Sequence, residues 1–355
     1  MIQHVTTILM LSALSFVTAL AFTPLVSDFL YRNRERLGKQ IRNDPSTPLF
    51  QKFHKSKEGT PTMGGVLIWG TVVFLTLFLW LLHIFVPSAL LARLNFLERG
   101  QTLLPLGALL VGSLLGLADD IAGVLRIGPR GGGIPMSWKL LLYGIIGLGG
   151  AWWFFYKLQW DLFYVPFVGF FNIGFWYVPL FLFIIVATSF SANEADGLDG
   201  LLGGVLLFAF GALAAVSFHQ GRFDLAVFCA VIIGSLLTFL WFNIYPARFF
   251  MGDTGSMGLG ITLGVIAMLT NTALLLPFFA FILVGESLSV LLQVFWKKVF
   301  GRKLFLSTPI HHHFEALAWP EPKVVMRFWI ISAVMMTIGL VLYFTSVGIT
   351  GTIVK

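Results

Sequence analysis

Five short polar segments interrupt an otherwise apolar chain, and each contains side chains that could bind phosphate or a metal ion. In chain order they read KEGTPTMGG, LADD, SANEADGLDG, MGDTGS and PIHHHFE. Carboxylates dominate the middle three, and Mg²⁺ prefers one or two carboxylates with water and phosphate oxygens completing its shell. The lysine and the imidazoles of the other two segments suit phosphate recognition. Together the segments predict a pocket for Mg²⁺ and a phosphorylated substrate.

Asp119 and Asp120 end the apolar run LLVGSLLGLADD. A carboxylate at the centre of a membrane span costs at least about 2.5 to 3.5 kcal/mol, and an adjacent pair at its edge needs a cation or water. A helix end that reaches into water is the structural alternative. Neighbours on a helix point about 100° apart, so we expect the two carboxylates to have different roles.

Asn193, Asp196 and Asp199 are spaced three residues apart in SANEADGLDG. If a helix continues to this point, they share one of its faces. Single residues of this kind also cap helix ends, which is the structural alternative. An amide and two carboxylates together at a membrane boundary favour a binding site.

Asp253 lies between Gly252 and Gly255, which allow the backbone to approach a ligand closely. Ser256 is placed to start the following helix. A helix N-terminus offers free N–H groups to phosphate, and a carboxylate beside it can hold a hard cation. A simple capping turn is the alternative.

Lys57 and the consecutive His311, His312 and His313 complete the polar set. Lys57 precedes a Thr-Pro turn and a glycine pair, and its alternative role is contact with lipid headgroups. Three consecutive imidazoles cannot all face one way, so a zinc site made of histidines alone is not favoured. In an extended loop His311 and His313 would share one side and His312 would face the other.

The elements that must position these residues are membrane helices. Of the 355 residues 57% are hydrophobic and 11% are charged, so a water-soluble surface could hardly be formed. About 20 apolar residues cross a bilayer core. Ten stretches qualify approximately, and they predict an all-α, multi-pass membrane protein of one domain, 1–355: 4–30, 63–86, 103–122, 138–156, 177–192, 201–218, 226–243, 256–271, 274–296 and 328–348.

The distribution of basic residues predicts the orientation of the chain. One set of alternating inter-helix segments holds 18 of the 23 lysine and arginine residues, and nearly every unusual polar residue lies in or next to this set. The positive-inside rule makes that set cytoplasmic and leaves both termini outside. The single cysteine, Cys229, lies in an apolar run and excludes a disulfide framework and a thiolate metal site.

The motifs resemble those of the phospho-N-acetylmuramoyl-pentapeptide transferases (the MraY family) of bacterial peptidoglycan synthesis, within the polyprenyl-phosphate hexose-1-phosphate transferases. The similarity covers essentially the whole chain, in the family's order, and GTPTMGG and PIHHHFE followed by WPEP are specific to this branch. It implies a bundle of ten helices in the bacterial inner membrane, expected as a homodimer. The implied reaction moves phospho-MurNAc-pentapeptide from its UDP conjugate to undecaprenyl phosphate, giving lipid I and UMP, with Mg²⁺ as cofactor and no nucleic-acid partner.

The resemblance also implies roles for individual residues. Asp253 matches the magnesium ligand, and Phe250 would stack on the uracil. The remaining matches are the acidic pair Asp119 and Asp120, the phosphate-pocket lysines Lys57 and Lys139, the nucleotide-side residues Asn193, Asp196, Asp199 and Asn243, and the histidines His311, His312 and His313. His311 is grouped with the catalytic residues and the other two histidines with substrate binding.

One position departs from the family pattern. Many relatives carry a lysine three residues after the acidic pair, where this chain has Gly123. Arg126 is the candidate replacement if the helix persists for another turn. The sequence leaves open whether the acidic pair abstracts a proton or positions other groups, and whether transfer occurs in one step or through a covalent intermediate.

Two other functions compete with this interpretation. A related enzyme would transfer GlcNAc-1-phosphate to the same lipid, but the GTPTMGG and PIHHHFE motifs argue against it. A transporter would place its ionisable residues near the membrane midplane, whereas here they lie at the predicted cytoplasmic ends of the spans.

Overall fold

The computed structural model describes residues 1–38, 57–86, 88–98, 100–128 and 132–351. Helices make up nearly all of the secondary structure in these ranges. Their bounds are α1 (Ile2–Arg32), α2 (Arg34–Leu37), α3 (Val66–Phe85), α4 (Ala89–Leu94), α5 (Leu103–Val124), α6 (Met136–Trp152), α7 (Tyr177–Ala195), α8 (Leu201–His219), α9 (Phe223–Asn243), α10 (Asp253–Leu269), α11 (Leu276–Phe279), α12 (Phe281–Phe300), α13 (Ile310–Ala316) and α14 (Glu321–Thr350).

The described helices confirm the prediction of an all-α, multi-pass membrane protein. Eight of them are long and apolar enough to cross a bilayer, and a bent pair, Ala273–Phe279 with α12, supplies a ninth crossing if it counts as one span. The short eighth candidate corresponds to α10, an apolar helix of 17 residues. A helix satisfies its own backbone hydrogen bonds, as the interior of a bilayer requires.

Two of the predicted spans have a different shape. The span predicted at 274–296 is not straight, because Ala273–Phe279 and α12 meet at an angle of 92°. The last helix begins at Glu321, well before the predicted start at residue 328. Pro320 precedes that helix and Pro322 lies in its first turn, where the fixed φ of proline suits a helix start.

A small β-hairpin is the one exception to the helical fold in the described ranges. Strand β1 (Leu162–Val165) pairs antiparallel with β2 (Gly169–Asn172), with Leu162 opposite Asn172. The Tyr164 hydroxyl is 2.5 Å from the Ser346 hydroxyl and 2.8 Å from that of Thr350, which ties the hairpin to the end of α14.

Helix α10 is the centre of the bundle. Every residue from Thr254 to Leu269 is buried, as expected for a helix that carries apolar or small residues on all sides. Glycines let its neighbours approach: a Cβ at Gly258 would overlap the Ser113 side chain of α5, and one at Gly260 would press on α7. Only the first residue of α10, Asp253, retains exposed surface.

Contacts at the far end of the bundle connect the start of α1 to the end of α14 through the start of α9 and the hairpin. His4 stacks on Phe223, and the neighbouring Arg222 lies over the Trp160 ring. The hairpin that follows Trp160 is bonded to α14 through Tyr164. The polar segments of the sequence lie at the opposite end, around the start of α10.

Candidate active site

Asp253 begins α10 in a turn that glycine makes possible. Gly252 has a φ of 72°, a conformation that side chains disfavour, and it precedes the first helical residue. The carboxylate of Asp120 accepts hydrogen bonds from the backbone N–H groups of Asp253, at 3.1 Å, and Thr254, at 3.0 Å. Asp120 therefore caps α10 and faces the positive end of its dipole. The helix starts three residues before Ser256, where the sequence analysis had placed its beginning.

Lys139 lies between two carboxylates. Its ammonium nitrogen is 2.6 Å from Asp119 Oδ2 and 2.5 Å from Asp253 Oδ2. The other Asp253 oxygen accepts from the Asn193 amide at 2.5 Å, and the other Asp119 oxygen accepts from the Ile134 backbone N–H at 2.5 Å. Side chains from α5, α6, α7 and α10 therefore meet at one place, and Asp253 remains 23% exposed there.

The acidic pair divides its contacts as the helix geometry predicts. Asp119 pairs with Lys139, whereas Asp120 binds backbone N–H groups of α10. The two carboxylates point to different neighbours because they are adjacent on α5. Both carboxylates lie in the same pocket, although they contact different partners.

Lys57 forms a second ion cluster beside the first. Its ammonium nitrogen is 2.6 Å from Asp199 Oδ1 and 2.5 Å from Glu321 Oε1, and its side chain is 7% exposed. The same Glu321 oxygen accepts from the Asp199 backbone N–H at 2.6 Å. Lys57 also lies 5.8 Å from the centre of the Phe250 ring. The KEGTP segment, the loop after α7 and the start of α14 are joined at this point.

The loops between the two clusters are held by side-chain bonds to backbone. Asp196 accepts from Gly252 N–H at 3.1 Å, and Asn243 accepts from Gly200 N–H at 3.0 Å. Helix α7 ends at Ala195, so Asn193, Asp196 and Asp199 do not share one helix face as the sequence spacing suggested. Gly197 and Gly200 break the helix, and the three side chains reach different partners of the same pocket.

The histidine segment is helical, which corrects the prediction of an extended loop. It forms α13, because the turn after Pro309 supplies a helix start. His311 is fully buried, with Nδ1 3.0 Å from Glu286 Oε2 and its ring packed against Gly197. His312 Nδ1 lies 2.6 Å from Glu315, and His313 Nδ1 accepts from the Leu306 N–H at 3.2 Å. The contact between His311 and Gly197 allows this histidine to position the loop at Gly197.

Arg126 does not extend the acidic helix as proposed. Helix α5 ends at Val124, and Arg126 is an exposed residue with a φ of 55°. It is therefore not on the next turn of that helix, which removes the geometric reason for treating it as a substitute for the lysine missing at Gly123.

Two acidic residues of the site escaped the sequence analysis. Glu321 binds Lys57. It could have been found as the carboxylate of the WPEP motif, which lies just before the last predicted span. Glu286 holds His311, and its signal was a glutamate inside an otherwise apolar span, which is a costly position unless it has a partner.

The donor atoms at Asp119 and Asp253 fit a hard cation. Both carboxylates touch one ammonium nitrogen, so their oxygens surround a position that already holds a positive charge. Mg²⁺ binds through one or two carboxylates together with water and phosphate oxygens. Within the described ranges no group of three or more His, Cys, Asp or Glu side chains is arranged to hold a metal by itself. Such a cation would need a phosphate ligand to complete its shell.

Comparisons with known proteins identify the family of the chain. Residues 102–271 match the model of glycosyl transferase family 4, and residues 57–68 match the phospho-N-acetylmuramoyl-pentapeptide-transferase signature 1. The phospho-N-acetylmuramoyl-pentapeptide-transferase of Chloroflexus aurantiacus is 34% identical over 96% of this chain and 90% of its own length. Enzymes of the same name from Geobacillus sp. WCH70 and Geobacillus thermodenitrificans are 36% and 35% identical. The chain belongs to the phospho-N-acetylmuramoyl-pentapeptide transferase family.

The two matched stretches contain most of the ion clusters. The signature begins at Lys57, and the longer match includes Asp119, Asp120, Lys139 and Asp253. Glu321 and the histidine helix lie outside both. Membership in the family is therefore supported independently of the α13 and α14 contacts.

Close packing of α5 on the start of α10 should be necessary for activity. A Cβ at Gly116 would overlap the Asp253 carbonyl, whereas one at Gly107 of the same helix meets nothing within 4 Å. Overpacking costs about 1 to 3 kcal/mol. We expect Gly116→Ala to lower turnover strongly and Gly107→Ala to behave like the parent. Turnover and melting temperature of both variants in detergent check this, and equal turnover would contradict it.

Glu321 should set the position of Lys57. A hydrogen bond to a charged group contributes about 1.5 to 3 kcal/mol, so Glu321→Ala should lower kcat/KM at least about tenfold. Glu321→Gln, which keeps an acceptor oxygen, should retain more activity. The exposed neighbour Glu58 provides the control, because Glu58→Ala removes a carboxylate without touching the cluster. Steady-state kinetics decide the matter, and equal effects at 58 and 321 would exclude the role.

Proposed function

We propose that this chain transfers phospho-MurNAc-pentapeptide from UDP-MurNAc-pentapeptide to undecaprenyl phosphate, giving lipid I and UMP. Family membership supports transfer of this sugar to a lipid carrier. The observation that carries the chemistry is Lys139 held between Asp119 and Asp253 at the exposed end of α10. In this reaction a lipid phosphate oxygen bonds to the sugar-linked phosphorus as the bond between the two phosphates breaks, and UMP leaves.

The nucleophile needs positioning more than activation. The second pKa of a phosphate monoester is about 6, so most of the lipid phosphate is already a dianion at neutral pH. Its approach to an anionic diphosphate is the larger barrier, and fixed positive charge lowers that barrier. Among the residues that the structure describes, Lys139 and Lys57 are cations of the pocket. We assign Asp119 and Asp120 to positioning: the first holds Lys139 and the second holds the start of α10.

The charges of the two clusters favour a divalent cofactor. Each cluster contains one lysine and two carboxylates, so each has a formal charge of −1 when ionised. A diphosphate would be repelled by such a pocket unless another cation entered with it. We propose Mg²⁺ in this role, held by Asp253 with Asp119 beside it. When bound, Mg²⁺ would neutralise and orient the diphosphate oxygens.

The nucleotide is assigned to the side of the pocket around Lys57. Phe250 offers an aromatic face beside this lysine, and Asp199 binds the lysine directly. Asp196 and Asn243 hold the neighbouring loops, and Asn193 lies at the border with the first cluster, bonded to Asp253. His312 and His313 lie on the adjoining helix α13. We propose that Phe250 stacks on uracil and that the lysine meets the phosphates.

The membrane placement follows from charge. We propose that the pocket faces the cytoplasm of the bacterial inner membrane, because the segments on its side of the chain hold most of the lysine and arginine residues. Both chain termini would then lie outside. The homodimeric state that the resemblance implies is retained as part of this proposal.

A direct donor comparison tests the reaction. The purified chain in nanodiscs that contain undecaprenyl phosphate should release UMP and form lipid I with UDP-MurNAc-pentapeptide. UDP-GlcNAc at the same concentration should give little product. Preference for UDP-GlcNAc would support the sibling reaction instead, and the absence of UMP with either donor would overturn the assignment.

Asp253→Asn should remove nearly all activity by weakening the binding of Mg²⁺. The substitution keeps the size of the side chain and deletes its charge, and loss of an electrostatic contribution of this kind costs about 10² to 10³ in kcat. The matched control is Asp161→Asn at the hairpin, far from the pocket. Lipid I formation across a Mg²⁺ titration measures the effect. Near-normal turnover of the Asp253 variant at limiting Mg²⁺ would place the metal elsewhere.

A further inference from the structure

The second half of α12 leaves the helix bundle. Its buried residues, from Ile282 to Ser289, all lie in the first half of the helix. Leu291, Val294, Phe295 and Val299 are each more than half exposed. Ten helical residues, 291–300, extend about 15 Å. Exposed apolar side chains in this number favour an apolar environment that the described part of the chain does not supply.

The same segment ends in a concentration of positive charge. Lys297 and Lys298 occupy the last turn of α12, and Arg302 and Lys303 follow Gly301, which ends the helix with a φ of 67°. All four are exposed. The sequence contains no acidic residue between Glu286 and Glu315. We call residues 291–306 the basic tip.

The cations of the basic tip differ from four other basic residues on this side of the bundle. Lys57 and Lys139 are held by carboxylates, and Lys323 and Arg327 lie over the Trp319 ring. Within the ranges that the structure describes, none of the four tip cations has a carboxylate within ion-pair distance. Lys297 and Lys298 also complement the C-terminal dipole of α12, but Arg302 and Lys303 lie beyond the helix and need another explanation.

The tip has a fixed shape, so its charges are presented together. The Gln293 side chain accepts from the backbone N–H groups of Leu304 and Phe305, both at 2.9 Å, and donates to the Phe305 carbonyl. This folds the chain after Gly301 back along the helix. The rings of Trp296 and Phe300 pack with centroids 4.2 Å apart beside the lysines. Aromatic rings next to basic residues are typical of the level of lipid headgroups.

We infer that the basic tip is a binding element for anionic phospholipids of the leaflet that the active site faces. Its apolar residues enter the acyl region, Trp296 and Phe300 lie at the interface, and the four cations bind the phosphates of acidic headgroups. The partner is the surface of the host bilayer and not the lipid substrate. This inference concerns lipid composition and is independent of the sugar donor.

The position of the tip connects it to the site. Its last residue, Leu306, donates its backbone N–H to His313 of α13. Its helix also carries Glu286, which holds His311. Lipid bound at the tip therefore contacts the same helix that supports the histidines and, through His311, the loop at Gly197.

Quenching by brominated lipids tests the inference directly. A fluorophore attached to Val299→Cys reports on the tip, because Cys229, the single native cysteine, is fully buried. The protein is placed in phosphatidylcholine nanodiscs with equal small fractions of brominated phosphatidylglycerol or brominated phosphatidylcholine, without polyprenyl phosphate. Brominated phosphatidylglycerol should quench at least about twofold more strongly, because acidic lipid accumulates at basic residues.

A charge-matched pair of variants supplies the control. Arg302→Gln with Lys303→Gln should remove most of the preference for phosphatidylglycerol. Arg93→Gln with Lys157→Gln removes the same charge at the other end of the bundle and should leave the preference intact. Equal quenching by both lipids in the parent would overturn the inference, as would a preference that survives the tip variant. A label shielded from both lipids, with the thiol at 299 cross-linking to a second copy, would instead identify the tip as a contact between chains.

Discussion

Repulsion between neighbouring carboxylates is the constraint on which the arrangement at the start of α10 depends. Two unit charges 4 Å apart interact by about 4 kcal/mol at the effective dielectric constant found near a protein surface. Asp119, Asp120 and Asp253 come from two helices and meet at the end of an apolar bundle. They coexist because each one faces a source of positive potential. Lys139 lies between Asp119 and Asp253, and Asp120 faces the N–H groups of α10.

The same constraint explains how a buried acidic pocket can serve a phosphate substrate. A lysine that holds two carboxylates has a fixed position, and under the proposed function it would bind a phosphate once Mg²⁺ balanced part of that negative charge. Lys57, between Asp199 and Glu321, repeats the arrangement next to Phe250. Side chains held in this way lower the entropic cost of positioning a ligand.

Helices α12 and α13 connect the pocket to the outer surface of the helix bundle. The first half of α12 packs in the bundle and gives Glu286 to His311, while the second half projects outward as the basic tip. His311 has no exposed surface, so it affects the pocket by supporting the loop at Gly197. A membrane enzyme whose acceptor is a lipid benefits when one rigid element contacts both the membrane and the loops of the site.

The sequence by itself determined the class of protein and most of the chemistry. Apolar runs of bilayer length can only be helices in lipid, and rare charged residues among them mark a site because their burial is costly. Asp119, Asp120, Lys57, Asn193 and Asp253 were identified from local patterns of this kind or from the family resemblance, and the structure brings them together.

Only the tertiary structure decided how these residues are paired. The bend at Ala280, the helical form of the histidine segment and the end of α7 at Ala195 depend on packing between distant parts of the chain. Spacing along one helix could not reveal that Asp196 binds Gly252, that Glu321 reaches Lys57, or that Glu286 meets His311. A sequence pattern reports neighbours within about one helical turn, whereas these pairs join residues that meet only when separate helices pack.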